Sequence, residues 1–159
     1  MTERNYSIVE GLGDARSLIF ATWLKSYQNS SLFAKGVPRE VFFAQHHKVI
    51  ERILERAEVR LAVLPDDPSV VFGWAVTEPC QRTSIVDRDA GIVRVTPESV
   101  VHYVYVKPDF RRYGVAKALL AHVAGEPWRY SHSTYILRDL REHKVIPDTV
   151  IYDPYEAFR

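Results

Sequence analysis

The chain has 159 residues, 47% hydrophobic and 26% charged, enough for one core of ordinary size and too short for two. Twenty-one Lys and Arg against twenty Asp and Glu give a formal net charge of +1, which excludes a long basic nucleic-acid arm and disfavours nucleic acid as a partner. The single Cys80 excludes an intrachain disulfide framework and an all-cysteine metal cage. No run of about 18 apolar residues is present, and Met1-Thr2-Glu3-Arg4-Asn5 has no apolar leader. The expectation is one domain over 1–159, soluble, cytoplasmic, without membrane partner or metal.

Tyr6 to Gly11 reads as a first strand, ended by glycine. Asp14 is placed to cap a helix over Ala15 to Tyr27, where Ile19, Trp23 and Tyr27 recur every four residues. Pro38 suits the first turn of a second helix with Phe42, Val49, Ile50 and Ile53 inward. His46 and His47 are adjacent on that helix, cannot form an i, i+4 metal pair, and read as solvent-facing or packing residues.

Val59 to Val63 and Val70 to Val76, joined by Pro65-Asp66-Asp67-Pro68, form a hairpin pattern. Between Pro79 and Pro97 the chain is polar. Asp89-Ala90-Gly91 is turn-like, but no pairing of its flanks is legible. Val100 to Val106 is β-branched or aromatic except at His102 and reads as the central strand. A turn leads to a helix over Val115 to Ala124, broken by Gly125-Glu126-Pro127. Trp128 to Ser131 reads as a strand, Thr134 to Lys144 as a helix, and Thr149 to Tyr152 as a last strand. The order β, α, α, β, β, β, α, β, α, β is a mixed α/β domain with about four helices.

The turn after the central strand carries the chemistry. A strand entering a glycine-containing turn that becomes a helix start brings unpaired N–H groups together at the positive end of the helix dipole, a place that binds phosphate. Arg111 and Arg112 add charge there, and Gly114 leaves room for close approach.

The residues Arg111-Arg112-Tyr113-Gly114-Val115-Ala116 fit the pattern Arg/Gln-x-x-Gly-x-Gly/Ala, and the phrase VYVKPDFRRYGVAKALL resembles the acyl-CoA pyrophosphate loop of the GNAT superfamily of N-acetyltransferases. The resemblance covers about residues 6 to 125. It implies a mostly antiparallel central sheet that splays after the central strand. It also implies that acetyl-CoA is the co-substrate, with the backbone of Val104 and Val106, flanking Tyr105, pairing with its pantetheine arm. N–H groups from Arg112 to Ala116, which include those of Tyr113 and Val115, would hold the pyrophosphate. The acceptor would be an amine on a small molecule or a macromolecule.

An amine attacks a thioester only when neutral, so a base must take its proton, a strand N–H such as that of Val106 must polarise the carbonyl, and an acid must protonate the thiolate. His102 falls where aralkylamine-type members of the superfamily carry a histidine, and the alternation of the strand aims it at the face shared by Val104 and Val106. It reads as the base or as a buried histidine bonded to a neighbour. Glu78 is the reserve candidate. Tyr135, opening the fourth helix, is the candidate acid, with Tyr130, Tyr152 and Tyr155 as rivals. The segment Trp128 to Ser133 could line an acceptor pocket.

Typical members of the superfamily end in a two-stranded hairpin, whereas 145–159, broken by Pro147 and Pro154, leave room for one ordinary strand. A shortened end implies an open cleft or an edge completed by a second subunit in a homodimer. Two alternatives stand beside the N-acyltransferase. One is a phage- or bacterial-type enzyme modifying an amine on a nucleobase or protein, with a positive groove near Arg82, Arg88, Arg94 and Arg129. The other is a non-catalytic acyl-CoA-binding or assembly domain.

Overall fold

The computed structural model describes residues 5–125 and 127–159. Met1 to Arg4, and Glu126 of the expected helix break, lie outside the described residues. β1 (Ser7–Glu10) leads to α1 (Arg16–Ser30), α2 (Leu32–Lys35) and α3 (Arg39–Arg56). Then come β2 (Glu58–Leu64), β3 (Asp67–Asp87), β4 (Ile92–Val106), α4 (Val115–Leu119), β5 (Trp128–Tyr130), α5 (Tyr135–Glu142) and β6 (Ile151–Tyr152). The strands lie side by side in chain order. They run antiparallel from β1 to β4 and parallel from β4 through β5 to β6. The C-terminal end is short: β6 has two residues, and a 3₁₀ turn over Pro154–Phe158 follows it.

Side-chain periodicity explains the layers. Ile19, Phe20, Trp23, Leu24 and Tyr27 of α1 and Phe42, Ile50 and Ile53 of α3 meet Trp74, Val76 and Tyr103 on one face of the sheet. Val115 and Leu119 of α4 cover Ala62, Phe72 and Ala75 on the other. Leu137 and Leu140 of α5 pack beside Tyr130. Buried Trp74 keeps its donor satisfied by bonding Thr22 Oγ1 at 3.0 Å.

Three local expectations change. Asp14 is not a cap: it sits inside a 3₁₀ turn, Gly13–Ala15, already one residue too far into the helical path, and no side chain caps α1. The helix expected to reach Ala124 stops at Leu119, because the following N–H groups bond three residues back, Val123 to Leu120 at 3.0 Å and Ala124 to Ala121 at 3.4 Å. The polar segment after Pro79 continues β3, and its pairs run from Pro79↔Ser99 out to Asp87↔Ile92. At the tip, Asp87 Oδ1 accepts from the N–H groups of Asp89 (2.9 Å) and Ala90 (3.0 Å), a side-chain turn that closes the ribbon.

Gly73 sets the contact of β3 with the functional end of β4. A Cβ there would lie 2.6 Å from the Tyr105 carbonyl oxygen and 3.2 Å from Val106 Cα, both backbone atoms. Gly73→Ala should therefore push the strands apart and destabilise the protein by about 1–3 kcal/mol. An unchanged urea midpoint would show that the strands part without cost.

Candidate active site

β4 is regular on either side of His102 and irregular at it. Val76 pairs with Tyr103 and the next residue, Thr77, pairs with Val101, leaving His102 as the extra residue of a bulge. The bulge changes where its side chain points. Strict alternation would have put His102 with Val104, which packs beneath α4. The extra residue turns it instead toward Glu78 of β3, two places from Val76 and so on the α1 and α3 face.

His102 is buried, and both ring nitrogens are engaged: Nε2 with Glu78 Oε2 at 2.9 Å and Nδ1 with Ser131 Oγ at 2.8 Å. Burial drives its pKa down to about 4 against the opposing hydrogen bond and charge of Glu78. Burial alone would raise the Glu78 carboxyl, but the His102 bond and the Arg56 and Arg159 guanidinium groups outweigh it and hold the group below its ordinary value. Arg56 Nε donates to Oε2 at 3.1 Å and Arg159 to Oε1 at 3.1 Å. The two sequence candidates for the base are thus one hydrogen-bonded unit.

The unit continues through residues whose roles the sequence did not show. Ser131 Oγ lies 2.7 Å from His132 Nδ1, and His132 Nε2 lies 2.9 Å from His46 Nε2. His132 is fully enclosed, its ring set edge-on to Trp23, Tyr27 and Tyr103. His47 is exposed against Phe20, whereas His46 faces inward, stacked on Phe42 at 5.1 Å. A signal for His46 was present: it stands midway between Phe42 and Ile50, four residues from each on the inner stripe.

β4 and β5 part at this place. Their register ends at Val101↔Tyr130, the last bond being Ser131 N–H to the Val101 carbonyl at 3.3 Å. Beyond it the ladder alternation, anchored by Lys107 N–H to the Phe72 carbonyl at 2.9 Å, gives the backbone of Tyr105 to β3 and turns that of Val104 and Val106 to the open side. The Tyr105 ring rests 5.9 Å from Trp74.

At the end of β4, Arg111 Nε donates to the Val106 carbonyl at 3.0 Å and ties the turn to the strand. Arg112 (φ 67°) and Gly114 (φ 78°) are left-handed, so the turn is tight on both sides of Tyr113. Gly114 caps α4, whose first N–H groups, from Gly114 through Val115 and Ala116, have no intrahelical acceptor. Arg111, Arg112, Tyr113 and Gly114 are exposed, while Val115 anchors the helix in the core.

Tyr135 opens α5, whose cap is Thr134 Oγ1 accepting from Leu137 N–H at 3.3 Å. It is partly exposed, with Lys35 Nζ 4.8 Å from its ring centroid. Its rivals are placed elsewhere: Tyr130 and Tyr152 pack ring to ring at 5.3 Å, and Tyr155 projects from the last turn. Arg82, Arg94 and Arg129 line a cavity of about 410 Å³ beside Trp128 and Thr149, while Arg88 lies in the ribbon tip outside it. Arg129 is held by Glu98 (2.8 Å) and Asp153 (2.9 Å), and Arg82 lies 3.6 Å from Glu98. Among the described residues no cluster of three or more His, Cys, Asp or Glu side chains is placed to hold a metal ion, and no helix is long and apolar enough to cross a membrane.

No curated protein sequence matches the chain significantly. Among solved structures, a putative acetyl transferase from Pyrococcus furiosus aligns with TM-score 0.61 at 16% identity, over 94% of this chain and 98% of that one. A histone acetyltransferase HPA2-related acetyltransferase from Corynebacterium glutamicum aligns with TM-score 0.54 at 12% identity, over 87% and 83%. An aminoglycoside N-acetyltransferase solved with CoA aligns with TM-score 0.46 at 20% identity, over 96% and 93%. The first two share the fold. The family model described as the acetyltransferase (GNAT) family matches residues 23–130, from α1 to the end of β5 and so across the parted strands and the left-handed turn. The chain belongs to that family.

Proposed function

We propose that the chain is a cytoplasmic N-acyltransferase that moves an acetyl group from acetyl-CoA to a primary amine by direct attack in a ternary complex. The observation that carries this reading is the run of an open strand edge at Val104 and Val106 into a turn left-handed at Arg112 and Gly114. An extended amide chain can add to such an edge as a further strand, and a pyrophosphate fits the N–H groups from Arg112 to Ala116. The donor supplies an activated thioester carbonyl. In the transfer, a C–N bond forms as the C–S bond breaks, one proton leaves nitrogen and one reaches sulfur.

The chain's own groups have distinct tasks. The Val106 N–H, on the open side, is the donor for the carbonyl oxygen as charge grows there. His102 cannot touch an ammonium directly, since Glu78 and Ser131 occupy its ring, so it receives a proton through Ser131. Tyr135, at the start of the helix after the parting strands, protonates the departing thiolate. The Arg82, Arg94 and Arg129 cavity is largely neutralised by Glu98 and Asp153, which favours a small or protein amine over a phosphate-backed acceptor.

Titration calorimetry with acetyl-CoA tests the donor site. Arg111→Glu and Gly114→Asp should each weaken binding about 10- to 100-fold, the range of one or two lost charge-assisted hydrogen bonds. Affinity unchanged in both variants would remove the loop from the site.

A further inference from the structure

The contacts from Glu78 to His46 form a single file across β3, β4, the end of β5 and α3, and their polarity follows from what each group can donate. Glu78 receives two guanidinium groups and is a carboxylate, so it only accepts. His102 must then donate from Nε2, which leaves Nδ1 to accept from the Ser131 hydroxyl. Ser131 has spent its proton and accepts from His132 Nδ1–H, and His132 Nε2 accepts from His46 Nε2–H. With three neutral imidazoles this is the one arrangement that satisfies every contact. His46 Nδ1 is left as a lone pair with no bond to a described residue, on a side chain that is half-buried.

We propose that His46, His132 and Ser131 extend the His102–Glu78 pair into a proton relay whose entry is Nδ1 of His46 and whose terminus is Glu78. The proposal rests on the acyl-transfer reading for the source of the proton, the acceptor's ammonium or a water bonded to it. One N–H bond of that ammonium breaks as Nδ1–H forms on His46. The Nε2 proton of His46 passes to His132 Nε2, the Nδ1 proton of His132 to Ser131, the Ser131 hydroxyl proton to His102 Nδ1, and the Nε2 proton of His102 to Glu78. Each relay member gives one proton and takes one. Glu78 takes the last proton and, held below its ordinary value by Arg56 and Arg159, yields it to water beside the half-exposed Arg159.

The test uses histidine-labelled protein and needs no acceptor. Long-range ¹H–¹⁵N spectra at pH 7.5 should show His46 and His102 protonated on Nε2 and His132 on Nδ1; any other set of tautomers overturns the relay. The ¹⁵N shift of His102 Nδ1 should move toward that of an unbonded imidazole nitrogen in Ser131→Ala and return in Ser131→Thr, because the hydroxyl is its donor. An unmoved shift in a folded Ser131→Ala overturns it. If that variant does not fold, the wild-type tautomers decide. Acetyl-CoA titrated into the wild-type sample bears on the other reading alone: no binding, with the tautomers as stated, sinks acyl transfer and leaves the relay standing.

Discussion

His102→Ala should lower turnover about 100- to 10,000-fold, the span of a lost proton-transfer path, while acetyl-CoA affinity stays within a few-fold. The separation of the two effects comes from the bulge. The imidazole meets Glu78 and Ser131 on the α1 and α3 face, whereas the groups assigned to the donor are the backbone of Val104 and Val106 and the turn from Arg112 to Ala116. Thiol release from acetyl-CoA across a panel of amines, paired with calorimetry, measures both. Equal turnover in the variant would reduce His102 to a buried structural histidine. A parallel loss of affinity would mean that the ring supports the donor site instead.

Acid should unfold this protein well above the pH at which carboxylates titrate. Burial pushes His46 and His102 from 6.5 down to about 4 and His132 well below its ordinary value. A histidine lowered in the folded state binds a proton more readily when unfolded. Its contribution is therefore complete above pH 6.5 and is lost as pH falls from 6.5 toward 4. A drop of that size corresponds to roughly 3 kcal/mol for each of His46 and His102, treated as an upper bound because the rings share one file. That is a large part of the 5–15 kcal/mol that usually holds a domain together. Glu78, lowered as well, adds a loss in the same direction further down. Among the described residues, the titratable and charged groups facing the file are Tyr27 of α1, Arg56 of α3, Tyr103 of β4 and Arg159 after the last turn. Urea midpoints at pH 7.5 and pH 5 give the measurement, and equal midpoints would show that the histidines accept charge without unfolding.

What could be read from the sequence follows from the range of the interactions involved. The strand from Val100 to Val106 and its turn are local: β-branched and aromatic side chains declare the strand, and Gly114 marks the left-handed position. The helices α1 and α3 declare themselves through four-residue spacing. The ribbon from Pro79 to Ser99 did not, because its outer residues are exposed on both faces and no buried set specifies register. Asp14 was misplaced by a turn that begins earlier than a cap would. The relay lay furthest from view. It joins residues 24, 29 and 86 positions apart and depends on one inserted residue that reverses a side chain, so alternation alone aimed His102 at the wrong face.

That inserted residue stands outside the pairing that holds β3 to β4. Without His102, Val101 would precede Tyr103 directly, and their partners Thr77 and Val76 are already consecutive, so β3 and β4 would pair without a shift at this place, the neighbouring side chains keeping their present faces. The sheet has no need of the residue. On the proposed function, deleting His102 alone should therefore remove the proposed base while leaving the core, the edge at Val104 and Val106 and the turn from Arg112 to Ala116 in place.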